Sequence, residues 1–169
     1  MSYMFAQDFA LEEVPHFDTR NVTDMVSMFI QCRNLKTVPH FDTSSVTKMN
    51  GMLNSCESLV SVPKFDTSKV TSMSSMFSGC TSLTSIPDID TSSCTDFSWM
   101  FEKCTSLTSI PSIDTRRGSE FGNMFDGCTN LTGKVNVVVV EDYPLDPEAP
   151  EQSEVIQDAF TSVYSYTST

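Results

Sequence analysis

Positive charge is scarce in this sequence. Ten Lys and Arg stand against 22 Asp and Glu, a formal net charge of −12 with a pI near 4.3. This excludes a nucleic-acid ligand, because displacing counterions from phosphates needs a concentrated basic face. Anionic membrane surfaces are disfavoured for the same reason. Long apolar runs are missing too. The longest, Val137 to Val140, is far short of the ~20 residues that carry a helix across a bilayer, so direct membrane insertion is not expected. The opening stretch, MSYMFAQDFALEE, has no basic region followed by an apolar segment, and no signal peptide is read there. Phosphate-binding glycine loops, a Gly-x-Ser-x-Gly elbow and an activated Cys–His arrangement are also missing, although Ser and Thr number 44. The reading is of a protein that is not an enzyme and holds no cofactor.

Apolar residues suffice for a core: Leu, Ile, Val and Phe make up 41 of 169 residues, above the disordered range. They fall in a strict repeat. Met4-Phe5, Met28-Phe29, Met52-Leu53, Met76-Phe77, Met100-Phe101 and Met124-Phe125 recur at steps of 24. Cys32, Cys56, Cys80, Cys104 and Cys128 keep the same step, as do Pro15 to Pro111, Leu11 to Leu131 and Asp18 to Asp114. Such a pattern is to be sought before any local reading.

Within one unit, residues 65–87 read FDTSKVTSMSSMFSGCTSLTSIP. Val70, Met73, Phe77 and Cys80 are spaced three, four and three apart, which predicts a short amphipathic helix. The preceding Asp-Thr-Ser supplies capping oxygens, and Gly79 and Gly127 suit a helix end. Leu83 to Ile86 predicts a short extended piece, closed by Pro87, whose missing amide forbids a long strand there. A unit of this size cannot bury its apolar side alone, and stacking supplies the cover. The fold class expected is an α/β repeat solenoid, leucine-rich-repeat-like, with 24-residue units of one short helix plus one short parallel strand. Residues 1–133 form the repeat in about five units, 134–140 a capping strand, and 141–169 an acidic, proline-containing strap and C-terminal segment. Residues 134–169 hold seven acids against one Lys.

The pattern FDTSxVTxMxxMFxxCxxLxxIP resembles the BspA-like leucine-rich repeat of bacterial surface proteins, in particular the repeat named after Mycoplasma lipoprotein-associated proteins. The resemblance covers roughly residues 1–133. It implies a solenoid within a secreted, anchored or phage-borne chain, used for adhesion or partner binding. On that basis the expected function is a surface-displayed binding module recognising a protein or glycan on a host or neighbouring surface. Its expected location is extracellular, at a cell surface, or on a virion if phage-encoded. The alternative is a structural spacer or assembly element, such as a phage tail component, docking through its C-terminal segment.

The candidate chemistry is thin. Five of the six cysteines lie 24 apart, whereas zinc sites use tight pairs, so they read as small buried hydrophobes in a ladder. Cys94, in the Val22, Val46, Val70 column, reads the same way. One Asp per unit without a neighbouring Gly reads as turn or cap chemistry rather than a calcium ladder. His16 and His40 lack a third ligand, and no metal site is expected. Asn21-Val22-Thr23 and Asn130-Leu131-Thr132 match the glycosylation acceptor pattern, which arises easily in a Ser/Thr-rich repeat. Binding is expected at columns that vary. The column after the proline runs His16, His40, Lys64, Asp88, Ser112 and changes charge along the chain. Trp99 stands in an otherwise mostly small or polar column (Tyr3, Ser27, Gly51, Ser75, Asn123) and is a candidate interface anchor.

Overall fold

The computed structural model describes residues 1–131 and the backbone of 137–138. Successive 24-residue units lie side by side in parallel register. Asp24, Lys48, Ser72, Asp96 and Glu120 each bridge the next in turn. Short parallel pairing recurs near the end, where β1 (Ile113–Asp114) pairs with β2 (Val137–Val138), Ile113 opposite Val137. The rest of the expected cap, residues 134–136 and 139–140, and all of the strap, residues 141–169, lie outside the described residues.

Where a helix was expected there is none; among the described residues the chain forms no α-helix. The segment around Met28 shows what replaces it. The amides of Ser27, Phe29 and Gln31 donate across to the carbonyls of Asn50, Met52 and Asn54, at 2.8, 2.9 and 2.7 Å. The alternate amides of Met28, Ile30 and Cys32 donate three residues back within the unit, at 3.2, 3.2 and 3.0 Å. Half the bonds thus go sideways to the next unit. The reason lies in two columns four residues apart that take left-handed backbone: Ser27 and Gln31, Ser75 and Gly79, Trp99 and Lys103, Asn123 and Gly127. A left-handed residue every fourth position cannot continue a right-handed helix. Gly79 and Gly127 have the positive φ a helix end requires, at +73° and +74°, but they serve a coil instead.

The apolar spacing still reports burial faithfully. Val70, Met73, Phe77 and Cys80 are all in the core, as are Leu35, Leu59, Leu83 and Leu107. The aromatic rings stack from unit to unit. Phe5–Phe29, Phe77–Phe101 and Phe101–Phe125 have centroids 5.4, 5.5 and 5.6 Å apart with planes within 10°. Leu53 interrupts the column between Phe29 and Phe77.

The expected strand at 83–86 is an extended segment that makes single cross-unit bonds, such as Thr84 N–H to Val60 O at 3.3 Å and Thr108 N–H to Thr84 O at 3.1 Å. Pro87 and its column mates from Pro15 to Pro111 each remove a donor, so no continuous ladder forms there among the described residues.

The Asp-Thr-Ser motif builds a turn rather than a helix cap. Asp Oδ1 accepts the amide two residues on, at 3.1 Å for Asp42–Ser44 and Asp66–Ser68 and 2.9 Å for Asp90–Ser92. The buried Thr then ties the turn to the next unit: Thr19, Thr67 and Thr91 donate Oγ1–H to the carbonyls of Asp42, Asp90 and Asp114, at 2.9, 2.8 and 3.0 Å. Thr43 departs from the pattern. Its Oγ1 is the buried side-chain polar atom without a partner among the described residues. Thr91 Oγ1 also accepts the Asp114 amide at 2.8 Å. Thr91→Val should therefore cost about 1–3 kcal/mol by stranding both Asp114 groups, whereas Thr43→Val should change stability by less than about 0.5 kcal/mol or raise it. Urea denaturation of the two variants checks this, and equal losses would refute it.

Candidate binding face

The residues after each proline run extended, so positions two apart point to the same side. His16, His40, Lys64 and Asp88 are all exposed. Three of them meet: His40, Lys64 and Asp88 line one surface groove of about 530 Å³, together with Asp66 and Asp90, over a floor of Phe65 and Ile89. His16 lines a separate groove of about 490 Å³ with Asp18, Arg20 and Asp42. Trp99 lines neither. It sits on the turn segment, in the left-handed column.

Asp66 and Asp90 are functional candidates that sequence reasoning assigned to turns alone. The signal was available, since Lys64 and Asp66, like Asp88 and Asp90, are two apart in an extended stretch. Each carboxylate has two tasks. Oδ1 of Asp66 takes the Ser68 amide at 3.1 Å and its hydroxyl at 2.7 Å; Oδ1 of Asp90 takes the same two groups of Ser92, at 2.9 and 2.6 Å. Oδ2 of each receives no bond from a described residue and is left to the groove. Against one Lys these carboxylates and Asp88 make the groove an acceptor-rich site. It suits hydrogen-bond donors and cationic groups.

Hydrogen bonds favour the ionised form of Asp66 in the groove and of Asp42 beside His16. The Ser68 hydroxyl, then its amide, lowers the Asp66 pKa, and Ser44 does the same for Asp42. The Arg20 guanidinium beside Asp18 takes that carboxyl from 3.8 down to about 2. A group depressed in the fold contributes its stability above the unfolded value and loses it as the pH falls towards the folded one. The Asp18–Arg20 pair, 2.7 Å apart, should thus persist at pH 4 and open only near pH 2, which the chemical shift of the Asp18 carboxyl carbon would follow. Titration of that carbon near pH 4 would contradict the pairing.

Trp99 has φ +55° and is 43% exposed. For a bulky L residue this backbone is an outlier costing roughly 1–2 kcal/mol. Its amide donates to Gly122 O at 2.8 Å and its carbonyl accepts the Glu102 amide at 3.1 Å, so the strain is imposed by the same sideways bonding as elsewhere.

The six cysteines are buried and free, and they do more than fill space. Each column thiol donates to the carbonyl 27 residues earlier: Cys56 Sγ–H to Phe29 O at 3.2 Å, Cys80 to Leu53 O at 3.1 Å, Cys104 to Phe77 O at 3.1 Å and Cys128 to Phe101 O at 2.9 Å. Sequence spacing alone does not show a bond between units.

A stacked repeat with varied side chains on one exposed column is a class of protein rather than an identity. The family comparison is more specific. Residues 1–85 and 56–143 match the family described as Mycoplasma protein of unknown function, DUF285. The chain belongs to that family. No curated protein and no solved structure matches it.

Proposed function

We propose that this chain is a non-enzymatic binding module displayed on a surface, built as a BspA-like leucine-rich-repeat solenoid, and that it recognises a protein or glycan of a host or neighbouring surface. One observation carries the reading. The core columns beneath repeat nearly unchanged, while the exposed column over them reads His16, His40, Lys64, Asp88, and its middle members converge on one groove. A packing role would not call for a change of charge along the column, whereas recognition of a particular ligand does. The unit-to-unit hydrogen bonds in parallel register support the solenoid architecture.

Two experiments test it. Immunogold labelling of the intact source cells or particles should decorate the exterior; labelling only after permeabilisation would end the surface reading and favour an internal assembly element. Binding to immobilised host-surface proteins and glycans should fall about tenfold or more in a Lys64→Glu, Asp88→Lys double variant, with the melting temperature unchanged because both side chains are exposed. Undiminished binding by that variant would remove the groove from the proposal.

A further inference from the structure

We infer that Trp99 is a stacking platform for a sugar ring, which makes a carbohydrate the ligand class of this module. The inference rests on the surface-binding reading and narrows it. It starts from an outlier. The Trp99 column is left-handed throughout; Ser27, Gly51, Ser75 and Asn123 occupy it with small or polar side chains suited to that backbone, and its other aromatic is Tyr3, in the first unit. Trp99 accepts the strain while 43% exposed, so backbone preference does not account for it and burial does so only in part. Strain kept for an incomplete packing return points to function.

The ground around it selects the ligand. One unit on, Gly122 is exposed and has no side chain, and a methyl group placed there would meet nothing within 4 Å. Asn123 beside it is exposed, in the same column as Trp99, with an amide free to donate and accept. On the Trp99 unit, Lys103 is exposed and its Nζ lies 3.1 Å from Glu102 Oε1. The other large apolar side chains exposed among the described residues are Tyr3, Met4, Phe9 and Val60, none of them in the units that flank Trp99. A protein partner would bury a cluster of apolar residues at the centre of its interface. A pyranose needs less. One aromatic face takes the C–H-bearing side of the ring, and amides and charged groups nearby take its hydroxyls. A single aromatic on polar ground fits the sugar.

The chain holds one tryptophan, so its fluorescence reports this site alone. The probes are an immobilised library of host-type and microbial glycans, followed by titration of soluble oligosaccharides from the classes retained. Binding should shield Trp99 emission from acrylamide quenching. Trp99→Gly should weaken binding about tenfold or more, the size of loss that truncating an aromatic anchor brings. Trp99→Gly should keep the circular dichroism spectrum and cooperative unfolding of the parent chain, because glycine suits the left-handed backbone, and this separates lost contact from lost fold. Trp99→Phe, which keeps a ring, should retain most of the affinity. Retained glycan affinity in Trp99→Gly, or glycan binding that leaves acrylamide quenching unaltered, overturns the assignment. If a host protein binds and only the Lys64→Glu, Asp88→Lys variant loses it, the surface-binding reading stands and the sugar platform falls. If neither glycans nor host-surface proteins bind, both fall.

Discussion

Alkali should unfold this protein abruptly near pH 10. The buried thiols make it so. Burial pushes Cys94 from 9.0 up to about 11 and Cys128 up to about 12, with their hydrogen bonds pulling weakly the other way. Burial raises Cys56, Cys80 and Cys104 further still. A thiol whose pKa is raised in the fold contributes its stability below the unfolded value and loses it as the pH climbs towards the folded one. The window therefore opens at 9.0. Each thiol then withdraws about 1.4 kcal/mol per pH unit, so five together remove roughly 7 kcal/mol by about pH 10, comparable to the whole stability of a typical domain. Circular dichroism and thiolate absorbance, followed together, should change at the same pH. Cys94→Val, which restores the side chain of Val22, Val46 and Val70, should move the midpoint upward. Thiolate absorbance rising near pH 9 while the dichroism stays intact would show that the thiols are open to water. Iodoacetamide at pH 8 gives the companion result, with little labelling in the native state and all six thiols labelled after denaturation.

Phe101→Ala should cost about 3–5 kcal/mol, the range for removing a buried aromatic side chain. Its ring is fully buried and stacks on both neighbours, at 5.5 and 5.6 Å with planes within 10°. The loss therefore includes two offset-stacked pairs worth about 0.5–1.5 kcal/mol each, counted within that range. In an array whose units touch mainly their neighbours, such a hole also weakens the coupling between the two sides. Urea unfolding should shift to lower denaturant and separate into two transitions. A loss below about 1 kcal/mol with a single sharp transition would mean that the column does not hold the units together.

The repeat was legible because 24-residue spacing held through many columns without an insertion, and the buried stripe because Val70, Met73, Phe77 and Cys80 face one way in either a helix or a tight coil. That ambiguity is also why the helix was misread. Spacing of three and four residues does not distinguish a helix from a coil that turns left-handed every fourth residue. Gly51, Gly79 and Gly127, together with Asn123, were the available signals, in two columns four apart. Cysteine burial followed from the apolar stripe, whereas the bonds from thiol to carbonyl depend on how closely units approach. The meeting of His40, Lys64 and Asp88 was written in one column. Asp66 and Asp90 were not joined to them because their turn chemistry already accounted for them.

The sideways bonding has a mechanical consequence. Because each unit is held chiefly by the one before and the one after, a chain pulled from its ends should come apart one coil at a time. Each release would lengthen it by about 80 Å, the contour of 24 residues at roughly 3.3–3.6 Å apiece. The expected force trace is a regular sawtooth of nearly equal teeth, and a module at a surface under drag would yield in those steps rather than fail at once.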